Sequence, residues 1–452
     1  MELKDLTNVF IDTEVSIRGR VHTIRGKGGL SFIVIRDGLH SIQIVVKKNT
    51  LGPESFKSLT KLPNESVIDI TGTLSKVNEE ITFTSFKTFE IQLTEWELIS
   101  QSGYLPFSID DASFSGDDFR NEVLQHTRLN SRWLDLRTSI RIETFKIMST
   151  LEHCFREFVI KNGFTGIHTP KLISTKTEGG SNVFDVNYFK TKAYLAQSPQ
   201  LYKQMMINSD FKRVFEVGPV FRAENCISHR HLCEYTGLDI EMEIPIGKTY
   251  HFVLEFIWKM LRYMVSTTYS REQVNIEAIH NKIKFSHLVI PEDPFIINFE
   301  DGVKLLNEAG FEQDPLKDLS TANEKELGKL IKEAHNSDLF ILDRFPLEER
   351  PFYTMPLEEG SQYSRSYDII MRGEEISSGA QRVHQKDLLV ERIASQGINP
   401  ADLKDYINSF SLGSKPHAGC GIGLERVIML LLDLGNIRNT SLFPRDPKRI
   451  NP

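Results

Sequence analysis

The chain has 452 residues, 40% of them hydrophobic and 25% charged, with a formal net charge of -7. That length is too great for one hydrophobic core and predicts two or three domains, while the acidic total argues against indiscriminate nucleic-acid binding. MELKDLTNVF lacks the apolar region of a secretory leader, VIMLLL near the end is too short to span a bilayer, and Cys154, Cys226, Cys233 and Cys420 form neither a CxxC pair nor a zinc spacing, so a reduced cytoplasmic chain is expected.

Local charge departs from the total at once. Between Val15 and Thr50, Arg18, Arg20, Arg25, Lys27, Arg36, Lys47 and Lys48 stand against Asp37 alone. EVSIRGRVHTIRG, LSFIVIRD and SIQIVVKK read as strands, GPESFKSLTKL as a helix, then SVIDITGTLSKV and EITFTSFKTFEIQL as two further strands. Three strands, a helix and two strands is the order of an OB-type β-barrel, a common oligonucleotide binder, predicted here over residues 1–104. Alternation places Phe32, Val34 and Arg36 on one face of the second strand and Gln43, Val45 and Lys47 on one face of the third. Phe32 can then stack on a base or fill the barrel, and Gln43 can read a base edge or stand in water; the pattern leaves both pairs open. GYLPFSIDDASFSGDDF is polar and Gly/Asp-rich, so residues 105–130 read as a hinge ahead of a second domain at 131–452.

RIETFKIMSTLEHCFREFVIKNGF carries a helical stripe of Ile142, Phe145, Met148, Leu151, Phe155 and Phe158, closed by Gly163. FTGIHTPKL is strand-like and reaches Pro170, whose missing N–H suits an edge or an interface. TKTEGGSNVF, with Glu178, has the composition of a mobile lid and equally of an ordinary surface loop. In QSPQLYKQMM, Ser198 suits an N-cap and Pro199 the first helical position, which makes Gln200 and Lys203 neighbours on one face. RVFEVGPVFRAE and EYTGLDIEME read as a hairpin: Arg222 and Glu224 share one face, as do Tyr235, Gly237, Asp239 and Glu241. Its tip adds His229, Arg230 and His231, cations that could meet a polyanion. Residues 270–345 suggest helices around a strand. YDIIMRGEEISSGAQR reads as a second hairpin turning at Arg372–Gly373, with Ser378 and Arg382 on one face. Gly419, Gly421 and Gly423 then precede a helix with Arg426 in its first turn. No buried parallel strand stands upstream, so a Rossmann loop is rejected; the glycines suit close backbone approach to a ligand.

Taken together, FRAEN…HRHLCEYTGLDIEM, the helix–strand unit ending at Pro170, and GCGIGLERVIMLLL followed by LFPRDPKR resemble the three motifs of the class II aminoacyl-tRNA synthetases. SPQLYKQ and SGAQR narrow the resemblance to the aspartyl-tRNA synthetases of the eukaryotic cytosolic and archaeal branch. The resemblance implies an α+β molecule, an OB-fold barrel followed by an antiparallel catalytic sheet flanked by helices. It implies ATP contacts from Arg222, Glu224, Arg230, His231, Leu232, Tyr235, Glu375 and Arg426, with Arg222 at the α-phosphate, Arg426 at the γ-phosphate and Tyr235 under adenine. Glu375 and Ser378 are the implied Mg2+ ligands, although strict alternation sets them on opposite faces unless a bulge intervenes. Glu178, Gln200, Lys203, Asp239, Ser378 and Arg382 are implied around L-aspartate. Phe32, Gln43 and Glu90 are implied at the tRNA-Asp anticodon, and Pro170 at a homodimer interface; the enzyme is expected to be cytoplasmic and not membrane-bound. Two alternatives stand: an asparaginyl-tRNA synthetase, and a non-catalytic tRNA-binding paralogue. Lys203 and the Gly-Leu-Asp at 237–239 favour aspartate, on the expectation that Lys203 and Arg382 offer it two unpaired cations.

Overall fold

A computed structural model of the protein describes residues 1–113, 123–175 and 183–452. Its Cα packing divides into two compact units, Met1–Ile142 and Glu143–Pro452.

In the first unit β1 (Glu14–Lys27), β2 (Leu30–Asp37), β3 (His40–Lys47), β4 (Val67–Lys76) and β5 (Phe89–Ser100) close into a barrel in the order β1-β2-β3-β5-β4. The short helices α1 (Lys48–Leu51) and α2 (Pro53–Leu59) lie between β3 and β4, with Pro53 at the start of α2 where a missing N–H costs nothing. The strand expected from Glu80 begins only at Phe89, so residues 77–88 form a connecting loop. Ile33, Ile35, Ile42, Ile44 and Val46 point inward and fill the barrel with Val15, Ile17, Val21, Ile68, Ile70 and Ile91. Phe32 lies on the other face, half-exposed, and is not barrel filling.

Residues 105–113 and 123–130, part of the stretch expected as a hinge, fall within this compact unit. Phe107, Ile109 and Ala112 of α3 and its approach (Ile109–Ser113) are buried with Leu134. α4 (Gln125–Asn130) and α5 (Arg132–Asp135) follow, and the carboxylate of Asp135 gathers Arg128, Arg132 and Arg141. The division falls inside α6 (Ser139–Lys161). On α6 the buried stripe is Ile147, Leu151, Cys154, Phe155 and Val159, whereas Ile142, Phe145, Met148 and Phe158 are half-exposed.

The second unit is built on an eight-stranded sheet, β12-β13-β14-β15-β16-β11-β10-β6. Its members are β6 (Thr165–Gly166), β10 (Arg213–Phe221), β11 (Glu234–Glu243), β12 (Ile296–Asn298), β13 (Leu339–Asp343), β14 (Ser366–Met371), β15 (Glu374–Gln381) and β16 (His417–Gly423). Only the outermost pairs, β6–β10 and β12–β13, run parallel. β16 is antiparallel to both neighbours, which disposes of any Rossmann arrangement around its glycines. A small sheet, β7 (Leu172–Ile173), β9 (Thr191–Leu195) and β8 (Asp185–Tyr188), adjoins α7 (Gln200–Asn208) in sequence.

Helices cover the sheet where its side chains are apolar. α8 (His251–Arg271) buries Val253, Leu254, Ile257, Trp258, Leu261, Met264 and Val265, a stripe at helical spacing, and α9 (Gln273–Lys282) follows it. α10 (Phe299–Glu308) and α11 (Thr321–His335) pack Phe299, Val303, Leu306, Leu327 and Ile331 on Phe340, Leu342 and Ile370 of the sheet. Residues 270–345 therefore hold two strands, β12 and β13, among their helices. α12 (Lys386–Ser395) and α13 (Lys404–Phe410) form a further core with Leu201, Phe352 and Val383. α14 (Leu424–Leu431) is buried all round, so VIMLLL is a core helix.

Candidate active site

A cavity of ≈ 350 Å³ opens on the strands β11, β15 and β16. The hairpin register explains its floor. Val220 pairs with Tyr235, Gly218 with Gly237 and Glu216 with Asp239, so Tyr235, Gly237 and Asp239 point the same way and all line the cavity. β10 ends at Phe221, but Arg222 N still donates to Cys233 O at 2.9 Å, which carries the pairing one step further. Arg222, Glu224, Arg230, His231 and Leu232 line one end, with Arg222 Nη1 3.9 Å from Glu224 Oε1.

The tip is tied down more firmly than its charge pattern indicates. Arg230 donates to Glu324 Oε2 at 2.8 Å and to Thr321 Oγ1 at 3.0 Å, so its guanidinium is already matched by α11. Glu324 also accepts from the backbone N–H of Glu375. Arg426, in the first turn of α14, donates to Glu375 O at 2.7 Å and to Arg230 O at 3.1 Å. Arg230, Glu324, Glu375 and Arg426 thus close a ring of hydrogen bonds around one wall. Burial, with Arg426 and Arg230 nearby, holds His231 below the usual imidazole range despite Glu224. His231 bonds Ser228 Oγ at 2.6 Å through Nδ1 and stands 3.7 Å from Glu224 Oε2 through Nε2.

The second hairpin turns at Arg372 and Gly373, both with positive φ (49° and 73°), the signature of a type I′ turn. Its pairing shifts by one residue: Ile369 opposes Ser377, yet Ile370 opposes Glu375, leaving Ile376 extra. That bulge resets the alternation, and Glu375 and Ser378 line the same cavity. Asp368 lies directly opposite Ser378. Arg350 grips Asp368 through two bonds of 3.0 and 2.8 Å, donates to Ser378 Oγ at 3.0 Å, and stacks 3.7 Å from the Phe345 ring centre. Burial, reinforced by Glu375 and opposed by Arg350, pushes Asp368 up to about 7. Asp368, Glu375 and Ser378 offer two carboxyls and a hydroxyl, oxygen donors of the kind a divalent cation takes, with Arg350 and Arg426 already facing the carboxylates. No cluster of three His, Cys, Asp or Glu side chains suited to a metal occurs among the described residues.

At the other end, Gln200, Asp239 and Arg382 line the cavity and Lys203 does not. Ser198 Oγ accepts from Gln200 N at 3.2 Å, starting α7 and fixing Gln200 and Lys203 on its buried face. Lys203 Nζ is enclosed by Asp239 Oδ1 at 3.1 Å, Ile240 O at 3.3 Å, Cys420 O at 3.2 Å and Glu241 Oε2 at 3.4 Å. Arg382 bonds both oxygens of Glu241, at 3.0 and 3.2 Å, and Gly419 O at 2.9 Å. The expectation of two unpaired cations is therefore corrected: Lys203 and Arg382 are balanced by Asp239 and Glu241. Among the described residues that line the cavity, the buried Gln200 Nε2 is a donor with no hydrogen-bond partner.

The glycines of β16 also need a revised account. A Cβ on Gly419 would stand 2.1 Å from Ile240 O and 2.5 Å from Glu241 Oε2, so this glycine makes room for the protein's own buried ion pair. Only Gly421 and Gly423 border the cavity.

Sequence reading missed Glu241, Glu324, Arg350 and Asp368 as site residues. The face shared by Tyr235, Asp239 and Glu241 held a signal for the first of these, and Asp368 follows once it is paired with Ser378. Glu324 and Arg350 come from segments carrying none. Glu178 lies outside the described residues. Pro170 is exposed next to the edge strand β6, and its neighbours Thr169 and Lys171 both bond the buried Glu216, at 2.7 Å each through their side chains.

In the first unit, pairing sets up rows across the outer face of the barrel. One row is Thr23, Val34, Gln43 and Glu90; the next is Arg25, Phe32, Val45 and Gln92; a third begins with Lys27, Leu30 and Lys47. Gln43 Nε2 donates to Glu90 Oε2 at 2.8 Å, so these two side chains work as a pair beside the Phe32 ring. Arg18 is engaged by Asp69, and Arg36 with Arg137 by Glu65. Among the described residues no carboxylate pairs with Arg25, Lys27, Lys47 or Lys48.

Residues 124–447 match the family model of class II tRNA synthetases (D, K and N), and residues 15–99 match that of the OB-fold nucleic acid binding domain. The chain is 45% identical to the cytoplasmic aspartate–tRNA ligase of Mus musculus, covering all of this chain and 91% of that one. It is similar to the aspartyl-tRNA synthetase structure from Entamoeba histolytica at 40% identity and a TM-score of 0.91, over all of this chain and 92% of that chain. Against asparaginyl-tRNA synthetase from Pyrococcus horikoshii, complexed with asparaginyl-adenylate, identity falls to 26% at a TM-score of 0.88, over all of this chain and 99% of that chain.

Proposed function

The chain belongs to the class II tRNA synthetases of the D, K and N group, and on that premise we propose that it is a cytoplasmic aspartate–tRNA ligase. The α-carboxylate of L-aspartate attacks the α-phosphorus of ATP, pyrophosphate leaves, and the resulting aspartyl-adenylate passes its acyl group to the terminal ribose of tRNA-Asp. One observation carries this reading: Arg222, Arg382 and Arg426 share a single cavity whose walls also hold Glu375 and Ser378.

Both reactants are anions, so the first step requires alignment and charge neutralisation more than bond-making groups on the protein. Arg222, beside Tyr235, would take the α-phosphate while the Tyr235 ring lies under adenine. Arg426 would meet the γ-phosphate, and His231 and Leu232 would border the folded tail. Arg230 contributes by holding the loop to Glu324. Glu375 and Ser378, with Asp368 behind them, would hold Mg2+, which supplies charge neutralisation at the phosphates when bound.

Gln200, Asp239 and Arg382 would surround aspartate. Gln200 Nε2 is an unmatched donor and Arg382 is a fixed cation, and a carboxylate answers both with acceptor oxygens. The amide of asparagine carries no charge and turns an NH2 donor toward one of them, and sites built for a specific polar partner reject such analogues by roughly 10⁴-fold. Lys203 would act by fixing Asp239. Glu178 retains its assignment next to the amino acid by resemblance alone. Phe32, Gln43 and Glu90 would receive the anticodon, and Pro170, presented outward by Glu216, would lie between subunits of a homodimer.

ATP–pyrophosphate exchange with aspartate and with asparagine tests the assignment. Aspartate should support exchange far better, and Arg222→Ala should lower it by about 10²–10³-fold. Exchange favouring asparagine, or none with either amino acid, would refute the proposal.

A further inference from the structure

Among the described residues that line the cavity none belongs to α11, yet the first turn of that helix is tied to two of the cavity's walls. Ser320 Oγ accepts from Asn323 N at 3.1 Å and starts the helix, which sets Thr321 and Glu324 three residues apart on one face. Glu324 also heads the buried stripe that continues with Leu327 and Ile331, and it is 6% exposed. An apolar side chain would pack there with no buried charge to satisfy, whereas a carboxylate costs stability unless its oxygens are matched. Here both oxygens are matched. Oε2 accepts from Arg230 Nη1 at 2.8 Å, beside the bond from Arg230 to Thr321, and Oε1 accepts from the backbone N–H of Glu375. Burial still raises Glu324 above the usual carboxylate range, with Arg230 opposing. The two residues so held are the two whose carbonyls, Glu375 O and Arg230 O, take the guanidinium of Arg426 at 2.7 and 3.1 Å.

We propose that Glu324 is a positioning residue for the activation step: its two oxygens anchor Arg230 and the peptide of Glu375, and through their carbonyls they set the aim of Arg426 at the terminal phosphate. This deepens the reading of the cavity as an ATP site and rests on it. Two carbonyls do not exhaust the N–H donors of a guanidinium, so Arg426 keeps donors for a phosphate while its plane is held by the protein. A planar fork set in advance loses little freedom when the anion arrives, which is where the gain in binding comes from. Only a carboxylate serves in this place. It presents an acceptor to each of two donors, whereas the amide of a glutamine, equal in size, turns an NH2 group toward one of them. Arg222 is placed by a different bond, from its N–H to Cys233 O at 2.9 Å, so loss of Glu324 falls on the tail end of the nucleotide.

ATP–pyrophosphate exchange by the full chain tests this with Glu324→Gln, which keeps the side chain's volume. The KM for ATP should rise by about 10- to 100-fold, the worth of one charge-assisted hydrogen bond. The KM for aspartate should stay at the wild-type value. AMP, which has no phosphate to reach Arg426, should inhibit the wild type and the variant with the same Ki. Those two constants also report that the variant is folded. Lys325→Ala removes the neighbouring bond from α11 to Glu374, 3.1 Å long, and should leave the KM for ATP as it is. An unchanged KM for ATP in Glu324→Gln, a weakening shared by AMP and aspartate, or an equal rise in Lys325→Ala overturns the positioning role. A wild type that catalyses no exchange with aspartate would instead remove the reading on which the role rests.

Discussion

Two buried glutamates of the second unit titrate in opposite directions, and the difference lies in their partners. Glu241 is enclosed with Arg382 and Lys203; burial would raise it, but the two cations outweigh burial and hold it below the usual carboxylate range. Its contribution is present above the unfolded value of about 4.3 and is lost as pH falls through its folded value. Glu425 has no cation. Burial pushes it up to about 7, and both its oxygens accept from Thr236 N at 3.0 Å, clamping the backbone next to Tyr235. The folded protein therefore holds a proton there that the unfolded chain has released between about pH 4.3 and 7, so stability falls as pH rises through that window. The full effect is on the order of 3 kcal/mol. Glu425→Gln should remove most of it: urea unfolding of the variant and the wild type should nearly coincide near pH 5, with the variant more stable at pH 8. A wild type whose stability does not fall between those values would show that Glu425 is ionised at little cost.

β16 shows how one strand serves packing and site together. Gly419 sits over Glu241 and Ile240 with no space for a methyl group, whereas a Cβ on Gly423 would meet Arg426 Cβ at an ordinary 3.7 Å. Gly419→Ala should therefore push β16 from β11 and cost about 3 kcal/mol, at the upper end for overpacking, while Gly423→Ala should cost less than about 1 kcal/mol through its weaker N-cap. Comparable urea midpoints for the two variants would contradict this. The same strand marks how far sequence reading reaches. The barrel order, both hairpins, the Arg372–Gly373 turn and the position of Arg426 were legible, because turns and periodicity are local. What was not legible depends on partners distant in the chain. Glu241 cannot be told from a solvated strand residue until Arg382 is opposite, and Lys203 looks like a free cation until Asp239 closes on it. The bulge at Ile376 has no turn residue to announce it. α11 approaches the second hairpin closely because Gly328 and Gly373 meet without side chains, and that contact alone makes Glu324 part of the site.

Over the whole molecule, 54 basic and 61 acidic side chains leave a net charge of -7, so attraction to RNA has to come from where the cations are left unpaired. In the first unit, Arg18, Arg36 and Arg137 are neutralised by Asp69 and Glu65, and four of the cations that no carboxylate pairs, Arg25, Lys27, Lys47 and Lys48, gather on one outer face of the barrel and the adjoining turn. Each such cation that meets a phosphate of a single-stranded loop releases counterions and adds about -0.7 to the slope of log affinity against log salt. Four contacts predict a slope of about -3 for the anticodon stem–loop. That is shallow for an RNA-binding surface, and it leaves much of the affinity to stacking on Phe32 and to the Gln43–Glu90 pair, which salt does not screen. Binding measured across a range of KCl concentrations should show this slope, with Lys47→Ala reducing it by about 0.7 while anticodon preference stays as in the wild type. A slope far steeper than -3 would mean that phosphates are held by cations outside this face, and a flat one that the face does not carry the RNA.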